Sequence, residues 1–365
     1  MLRLLGKFVR AESPSLDKGL VDDFGRMVAA EWRARGARVT ALPQKHRGDH
    51  LLISFPHGGS QSSGRILLLG HMDTVYAKGA LPEMPYRISQ GRAWGPATFD
   101  MKGGLVLALF AIDALKRARI HPRKEIACLW TTDEEIGSES SREFIEREAK
   151  LSDAVLVLEP AGEPRGALKT SRKGVGEIKL SVIGRAAHSG LKPEEGINAV
   201  HELALQIARI AKFNQPQRGI GVHVNIASGG TRTNVIAAEA HALVDVRVTR
   251  SADIRPLEQK FRALKPILPG AKLEISGGVD RPPMEHKMSA ALFHHAQHLA
   301  ADLGIALEET ASGGGSDGNL TAAIGIPTLD GLGAIGSGAH SLREYIIIRK
   351  LAPRAALIAA LLATL

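Results

Sequence analysis

Arg65-Ile66-Leu67-Leu68-Leu69-Gly70-His71-Met72-Asp73-Thr74-Val75 carries the strongest local pattern in the chain. The unbroken apolar run Ile66 to Leu69 reads as a buried strand of a parallel sheet, which is covered on both faces and so shows no polar alternation. His71 then falls where the strand ends, the edge at which open α/β sheets place ligand-binding groups. Asp73 follows two residues later, and alternate residues of extended backbone point the same way. An Asp there accepts the ring N–H and leaves the second nitrogen for a metal. Alone the pair is weak evidence, because most His-x-Asp pairs are surface or turn residues.

At 365 residues the chain is too long for one ordinary core, so two domains are expected. No apolar run approaches the roughly 20 residues of a membrane span, and no membrane partner is expected. Met1 to Arg10 is amphipathic and reads as a first helix rather than a signal peptide. The lone Cys128 lies in an apolar stretch and reads as a buried core thiol. These features point to the cytoplasm. The net charge of +9 suits solubility or a field that favours acidic small molecules. The Lys and Arg residues are scattered and aromatics make up only 4%, so no nucleic-acid partner is expected.

Helical spacing runs from Leu16 to Arg35 with Gly36 as a stop, and Arg38–Leu42 and His50–Phe55 read as strands. Pro56-His57-Gly58-Gly59 reads as a turn, and Tyr76 to Gly95 as loop. Met101–Arg117 is a helix, Glu125–Thr131 a buried strand, Ser141–Ala149 a short helix and Ala154–Leu158 another buried strand. This alternation predicts an α/β fold: a three-layer domain around a largely parallel sheet. Near Ala167 the pattern changes. Val175–Ile183, Gly219–Ala227 and Ala238–Thr249 alternate apolar and polar residues, as half-exposed antiparallel strands do, with helices at Asn198–Ala211 and Ala252–Leu264. An inserted α+β domain over 169–285 is expected, with 1–168 and 286–365 forming the first domain. The return carries a helix at Ala290–Leu303, a strand at Ala306–Thr310, a glycine-rich loop at Ser312–Gly318, a strand at Gly325–Leu329 and a closing helix at Ile347–Leu365.

Four further stretches place acids or histidines past strands or at loop-to-helix junctions. Asp100 precedes the long helix and would also serve as its N-cap. Asp133-Glu134-Glu135 follows the Cys128 strand; three adjacent acids repel unless a cation holds them or they lie in solvent. Glu159 follows a buried strand, where a carboxylate without a partner is costly. His340 sits in a small-residue loop and alone would read as structural. Taken together, His71, Asp100, Glu135, Glu159 and His340 would gather at one edge of one sheet. Two His and three carboxylates suit two divalent zinc ions sharing a bridging carboxylate. Two metals about 3.5–4 Å apart share a water, lower its pKa and polarise a carbonyl, and a neighbouring carboxylate, here Glu134, acts as general base.

Gly70-His71-Met72-Asp73-Thr74, Asp100-Met101-Lys102-Gly103-Gly104, Asp133-Glu134-Glu135-Ile136-Gly137-Ser138, Glu159-Pro160 and Gly338-Ala339-His340 resemble, in order and spacing, the motifs of a di-zinc metallopeptidase and deacylase family. That family includes glutamate carboxypeptidases, acetylornithine deacetylases, succinyl-diaminopimelate desuccinylases and aminoacylases. The resemblance implies that His71, oriented by Asp73, and Glu159 bind one zinc, that His340 and Glu135 bind the other, and that Asp100 bridges both. It implies two Zn2+ per subunit, with Co2+ or Mn2+ as substitutes, a cis peptide between Asp100 and Met101, and Glu134 as base for attack by a metal-bridging water. Gly184-Arg185-Ala186-Ala187-His188-Ser189-Gly190 resembles the motif of the family's lid and dimerisation domain. It implies that His188 reaches the active site of a partner subunit in a homodimer and stabilises the oxyanion. Asn234 resembles a polar substrate contact and Arg247 the arginine that pairs with a substrate carboxylate, a role suited to its planar fork. Gly314 and Ser316 lie in a stretch similar to the family's backbone loop beside the substrate. Ala97 and Thr98 depart from the family pattern, where a second Gly is common; this bears on loop shape.

Glu at position 159 and the Arg247 motif resemble the glutamate carboxypeptidase branch. The expected activity is removal of a C-terminal residue, such as glutamate, from a small peptide or N-acyl conjugate. The alternative is an N-acyl-amino-acid deacylase with the same zinc chemistry.

Overall fold

Arg65–His71 forms the strand that its apolar run predicts, and Leu67, Leu68 and Leu69 have no exposed surface. On one side it pairs in parallel with Glu125–Thr131, setting His71 opposite Thr131; on the other it pairs in parallel with Ala154–Val157, setting Leu69 opposite Val157. Parallel register makes all three strands end at the same edge, so the residues that follow them must emerge together. Thr328–Leu329 extends the parallel set, while His50–Ser54 and Arg38–Leu42 close the far side antiparallel, giving a six-stranded sheet.

The computed structural model describes residues 1–55, 64–163 and 165–365. The turn expected at Pro56-His57-Gly58-Gly59 lies outside the described residues. The chain divides into two compact units: Met1–Ser171 with His286–Ser312 and Ser316–Leu365, and Arg172–Glu285 with Gly313–Gly315. In the first unit, helices cover the sheet. Gly103–Ala118 buries Leu105, Leu107, Leu109, Ile112 and Leu115, and packs against the closing helix Leu351–Thr364. Cys128 is wholly buried, as its surroundings predict. Among the described residues, no helix is long and apolar enough to cross a membrane.

Three elements of this unit differ from expectation. The segment read as loop from Tyr76 to Gly95 contains a short hairpin, Arg87–Ser89 and Arg92–Trp94. It continues into Tyr345–Ile347 and Gly336–Ser337 as a separate four-stranded sheet. Its strands are too short to show periodicity and are held by side chains: Trp94 packs on Tyr345 with centroids 4.7 Å apart, and Arg92 lies 4.2 Å over the Tyr345 ring. The residues between Gly336–Ser337 and Tyr345–Ile347 form the loop that carries His340. Asp317–Ala323, which begins at the end of the glycine-rich stretch, is a short helix capped by Ser316. The strand expected at Ala306–Thr310 lies at Glu309–Ser312.

The second unit is built on a four-stranded antiparallel sheet in the order Gly221–Gly229, Glu239–Val248, Gly174–Ile183, Lys272–Arg281. Ala240, Ala242, Val244, Val246 and Val248 alternate into its core, covered by the helices Ala199–Ile210 and Ile254–Arg262 through Leu203, Leu257 and Phe261. Lys272–Arg281 shows no strand pattern in sequence, because Ser276, Gly277 and Gly278 dilute it. As an edge strand it needs only one partner and tolerates a mostly exposed composition.

Gly104 marks where the long helix meets the backbone that leads to Glu159. A Cβ there would collide with the Leu158 carbonyl oxygen, and backbone cannot rotate away as a side chain can. Gly104→Ala is therefore expected to destabilise the protein by about 1–3 kcal/mol, read as a lower urea midpoint at unchanged m-value.

Candidate active site

The strand ends deliver their acids and histidine to one place. His71, with 1% of its surface exposed, has Nε2 3.2 Å from Asp100 Oδ1 and 3.4 Å from Glu159 Oε1. His340 approaches from its own loop, with Nε2 3.3 Å from Asp100 Oδ2 and 3.2 Å from Glu135 Oε2. Asp100 thus offers one carboxylate oxygen to each imidazole. Ligand atoms of His71, Asp100 and Glu135 lie within 4.8 Å of one another, as do those of His71, Glu134 and Glu159. The Asp100–Met101 peptide bond is cis, as the resemblance implies.

Asp73 acts on both sides of this cluster. The closest partner of His71 Nδ1 is the Asp73 backbone carbonyl at 3.0 Å, with the carboxylate Oδ1 at 3.5 Å. The Asp73 carboxylate accepts from the Ser15 hydroxyl at 2.7 Å and from the backbone N–H of Glu134 and of Glu135, each at 3.3 Å. One residue therefore sets both the His71 ring, chiefly through its backbone carbonyl, and the turn bearing Glu134 and Glu135, through its carboxylate. Asp133 stiffens that turn by accepting from the Ser140 N–H at 2.6 Å and hydroxyl at 2.8 Å.

The electrostatics follow from crowding. Burial alone would lower the pKa of His71, but Asp100, Asp73 and Glu159 raise it well above its ordinary value. His340 is raised to about 10 by Asp100 and Glu135. Burial raises Glu135, and the charge of Asp100 adds to that. Asp100 is also penalised by burial, yet the two imidazoles on it hold its carboxyl below the usual range. The cluster demands positive charge, and protons on histidine supply it where no cation does. Glu135 Oε1 is buried and accepts no hydrogen bond among the described residues. Two imidazole nitrogens, a shared carboxylate and two terminal carboxylates are hard-to-borderline donors of the kind that hold zinc or a similar divalent ion. The residues fit such a pair of cations.

Supporting residues escape the sequence reading. Glu344 is wholly buried and accepts from the N–H of Ala97 at 3.1 Å, of Phe99 at 2.7 Å and of Asp100 at 2.9 Å. The Tyr76 hydroxyl also donates to it and lies 3.0 Å from the Ser341 carbonyl. Burial pushes the Glu344 carboxyl up to about 7, against the pull of these donors. Glu344 and Tyr76 thereby tie the loop of Asp100 to the loop of His340. Asp317, buried, accepts from Thr131 Oγ1 at 3.0 Å and from the Ser138 hydroxyl, fixing the far end of the acidic turn. The only sequence signal for Glu344 is an acid four residues past His340; for Ser15 there is none.

The remaining expected residues have other settings. In the second unit His188 is exposed, and its Nδ1 accepts from the Gly190 N–H at 3.1 Å. Asn234 is exposed, and its backbone carbonyl accepts from the Ser189 N–H at 3.0 Å. Arg247 is bound to its strand neighbour Asp245 through Nε at 3.0 Å and Nη2 at 2.8 Å. Gly314 is exposed, and its carbonyl accepts from Arg172 at 3.2 Å. In the first unit Ser316 is buried, its hydroxyl donating to Asp330 at 2.6 Å and capping a helix. That side chain is committed to scaffold.

The profile of peptidase family M20/M25/M40 matches residues 67–364. Carboxypeptidase G2 of a Pseudomonas species is 32% identical over 362 residues, spanning 95% of this chain and 85% of that protein. An acetylornithine deacetylase of Pasteurella multocida is 27% identical over 252 residues, covering 64% of this chain and 63% of the other. The crystal structure of aminopeptidase PepT from Bacillus cereus superposes with a TM-score of 0.82 at 21% identity, over 99% of this chain and 97% of that one, a likeness of fold.

Glu344→Gln would turn an N–H donor toward the Ala97 amide or the Phe99 and Asp100 amides, leaving donors facing a donor. The expected result is a loss of about 10- to 100-fold in metal affinity with the fold retained, read by competition with a chromophoric chelator and by circular dichroism.

Proposed function

Since the chain belongs to peptidase family M20/M25/M40 and is a metallopeptidase, we propose that it removes a C-terminal residue, such as glutamate, from a small peptide or N-acyl conjugate. One observation carries this reading: a single carboxylate, Asp100, with an oxygen on each of two histidines that have their own acidic partners. On it, His71 and Glu159 would hold one divalent cation and His340 and Glu135 a second, with the Asp100 carboxylate shared between them. Zinc fits this donor set, with cobalt or manganese as substitutes.

A pair of such cations supplies an acidified water and a polarised carbonyl. The protein supplies the proton handling and the positioning. Glu134 takes a proton from the attacking water as the new C–O bond forms, then delivers it to the leaving nitrogen as the C–N bond breaks. Asp73 keeps the His71 ring turned with Nε2 toward the cation. His188, reaching from a partner subunit, donates to the carbonyl oxygen as charge develops there. Arg247 receives the substrate's terminal carboxylate in exchange for Asp245, with Asn234 and Gly314 lining the substrate. The inserted unit serves as lid and dimerisation domain, and the enzyme works as a homodimer in the cytoplasm.

A second reading, an N-acyl-amino-acid deacylase, uses the same chemistry and draws support from the similarity to acetylornithine deacetylase. Assay of zinc- or cobalt-loaded enzyme on N-acylated glutamate, on dipeptides ending in glutamate and on N-acetylornithine separates the two. Hydrolysis favouring a C-terminal glutamate supports the first; preference for N-acetylornithine supports the second; no turnover of any amide removes both.

Glu134→Ala is expected to lower kcat by several orders of magnitude with two metal equivalents retained, while Glu135→Ala loses metal as well, both read by elemental analysis beside kinetics. Near-normal turnover in Glu134→Ala overturns the base. Mixing inactive His188→Ala with inactive Glu134→Ala is expected to restore part of the activity, since a mixed dimer contains one intact shared site. Failure to recover any activity, with mixed dimers verified by mass, removes the role of His188.

A further inference from the structure

The first unit contains a cavity of about 300 Å³ beside the closing helix, built of chemistry the metal cluster does not use. Its walls include Leu303, Ile305, Ile335 and Leu357, with Lys350 and Arg354 as cations, and among the described residues no acidic side chain lines it. Arg354 is only 4% exposed. Its Nη2 donates to the Gly166 carbonyl, and its Nη1 is buried with no hydrogen-bond partner among the described residues. Burial pulls the guanidinium down to about 10, so it stays charged at neutral pH. Arg165, the third cation lining the cavity, is answered by Glu308 at 3.1 Å. The charge of Arg354 is not, and a buried cation with an idle donor is expensive to keep.

We propose that this cavity binds a small aliphatic monocarboxylate, with its carboxylate on Arg354 and its chain along Leu303, Ile305 and Leu357. The volume suits a short acyl chain. Leu303, 45% exposed, offers the tail an apolar surface that is otherwise wetted. A guanidinium that meets no carboxylate among the described residues, set among aliphatic walls, suits the single delocalised negative charge of a carboxylate that carries an apolar tail. Gly166 and Ile335 belong to the segments that run from Glu159 and into His340. Ser337 and Gly338 join these segments through Glu163, at 2.6 and 3.3 Å. A ligand here therefore touches the same two segments that carry two of the proposed metal ligands.

The test is calorimetric titration with hexanoate, using hexanol and inorganic phosphate as controls. It is run on the wild-type protein and on Glu135→Ala, so that carboxylate binding at the metal cluster is recognised by its loss. The expected result is one hexanoate site that survives Glu135→Ala and binds at least tenfold more tightly than hexanol or phosphate. Arg354→Met, which replaces a buried charge by an apolar chain of similar length and should fold, is expected to weaken hexanoate at least tenfold. Ala356→Trp, at a half-buried position lining the cavity, should do the same while leaving Arg354 in place. Absence of the site in wild type, its survival in both variants, or phosphate binding as tight as hexanoate overturns the proposal.

Discussion

Carboxylates brought within a few ångströms of one another in a buried place cannot all keep their charge without positive charge among them. That constraint governs the first unit. The parallel register of Arg65–His71, Glu125–Thr131 and Ala154–Val157 forces their following residues to a common edge. There His71, Asp100, Glu135, Glu159 and His340 meet, and the imidazole pKa values rise in answer. The same crowding that would be a liability in a structural core is a reason for divalent cations to bind.

Much of this was legible in the sequence, for identifiable reasons. Buried parallel strands announce themselves by unbroken apolar runs, so Arg65–His71 and Glu125–Thr131 begin and end where their patterns do. The cluster was legible because each member follows such a strand or opens a helix. Elements whose stability comes from distant partners were not legible. The hairpin at Arg87–Trp94 depends on Tyr345, and the edge strand Lys272–Arg281 on its pairing with Gly174–Ile183. Ser15 and Glu344 act through hydrogen bonds to residues 58 and 244 to 247 positions away, which no local pattern encodes. Asp73 was expected to orient His71 through its carboxylate. Its backbone carbonyl is the nearer acceptor, and the carboxylate is spent largely on the Glu134–Glu135 turn.

Within the second unit, Arg247 illustrates how charge is stored. A bidentate pair with Asp245 on the same strand keeps the planar guanidinium oriented and half-buried. An incoming carboxylate has to replace one of like geometry, so only a group that matches the fork recovers what the exchange costs. Neutral end groups break the pair without replacing it.

Glu344 has a consequence for how the protein lives with metal. Many small metal-binding domains are shapeless until the ion arrives, because the ion is their only crosslink. Here the loops bearing Asp100 and His340 are already clasped by a carboxylate that leaves the ligand positions to others. Cations held there would be loaded and lost by exchange at a standing receptacle rather than by folding of the loops.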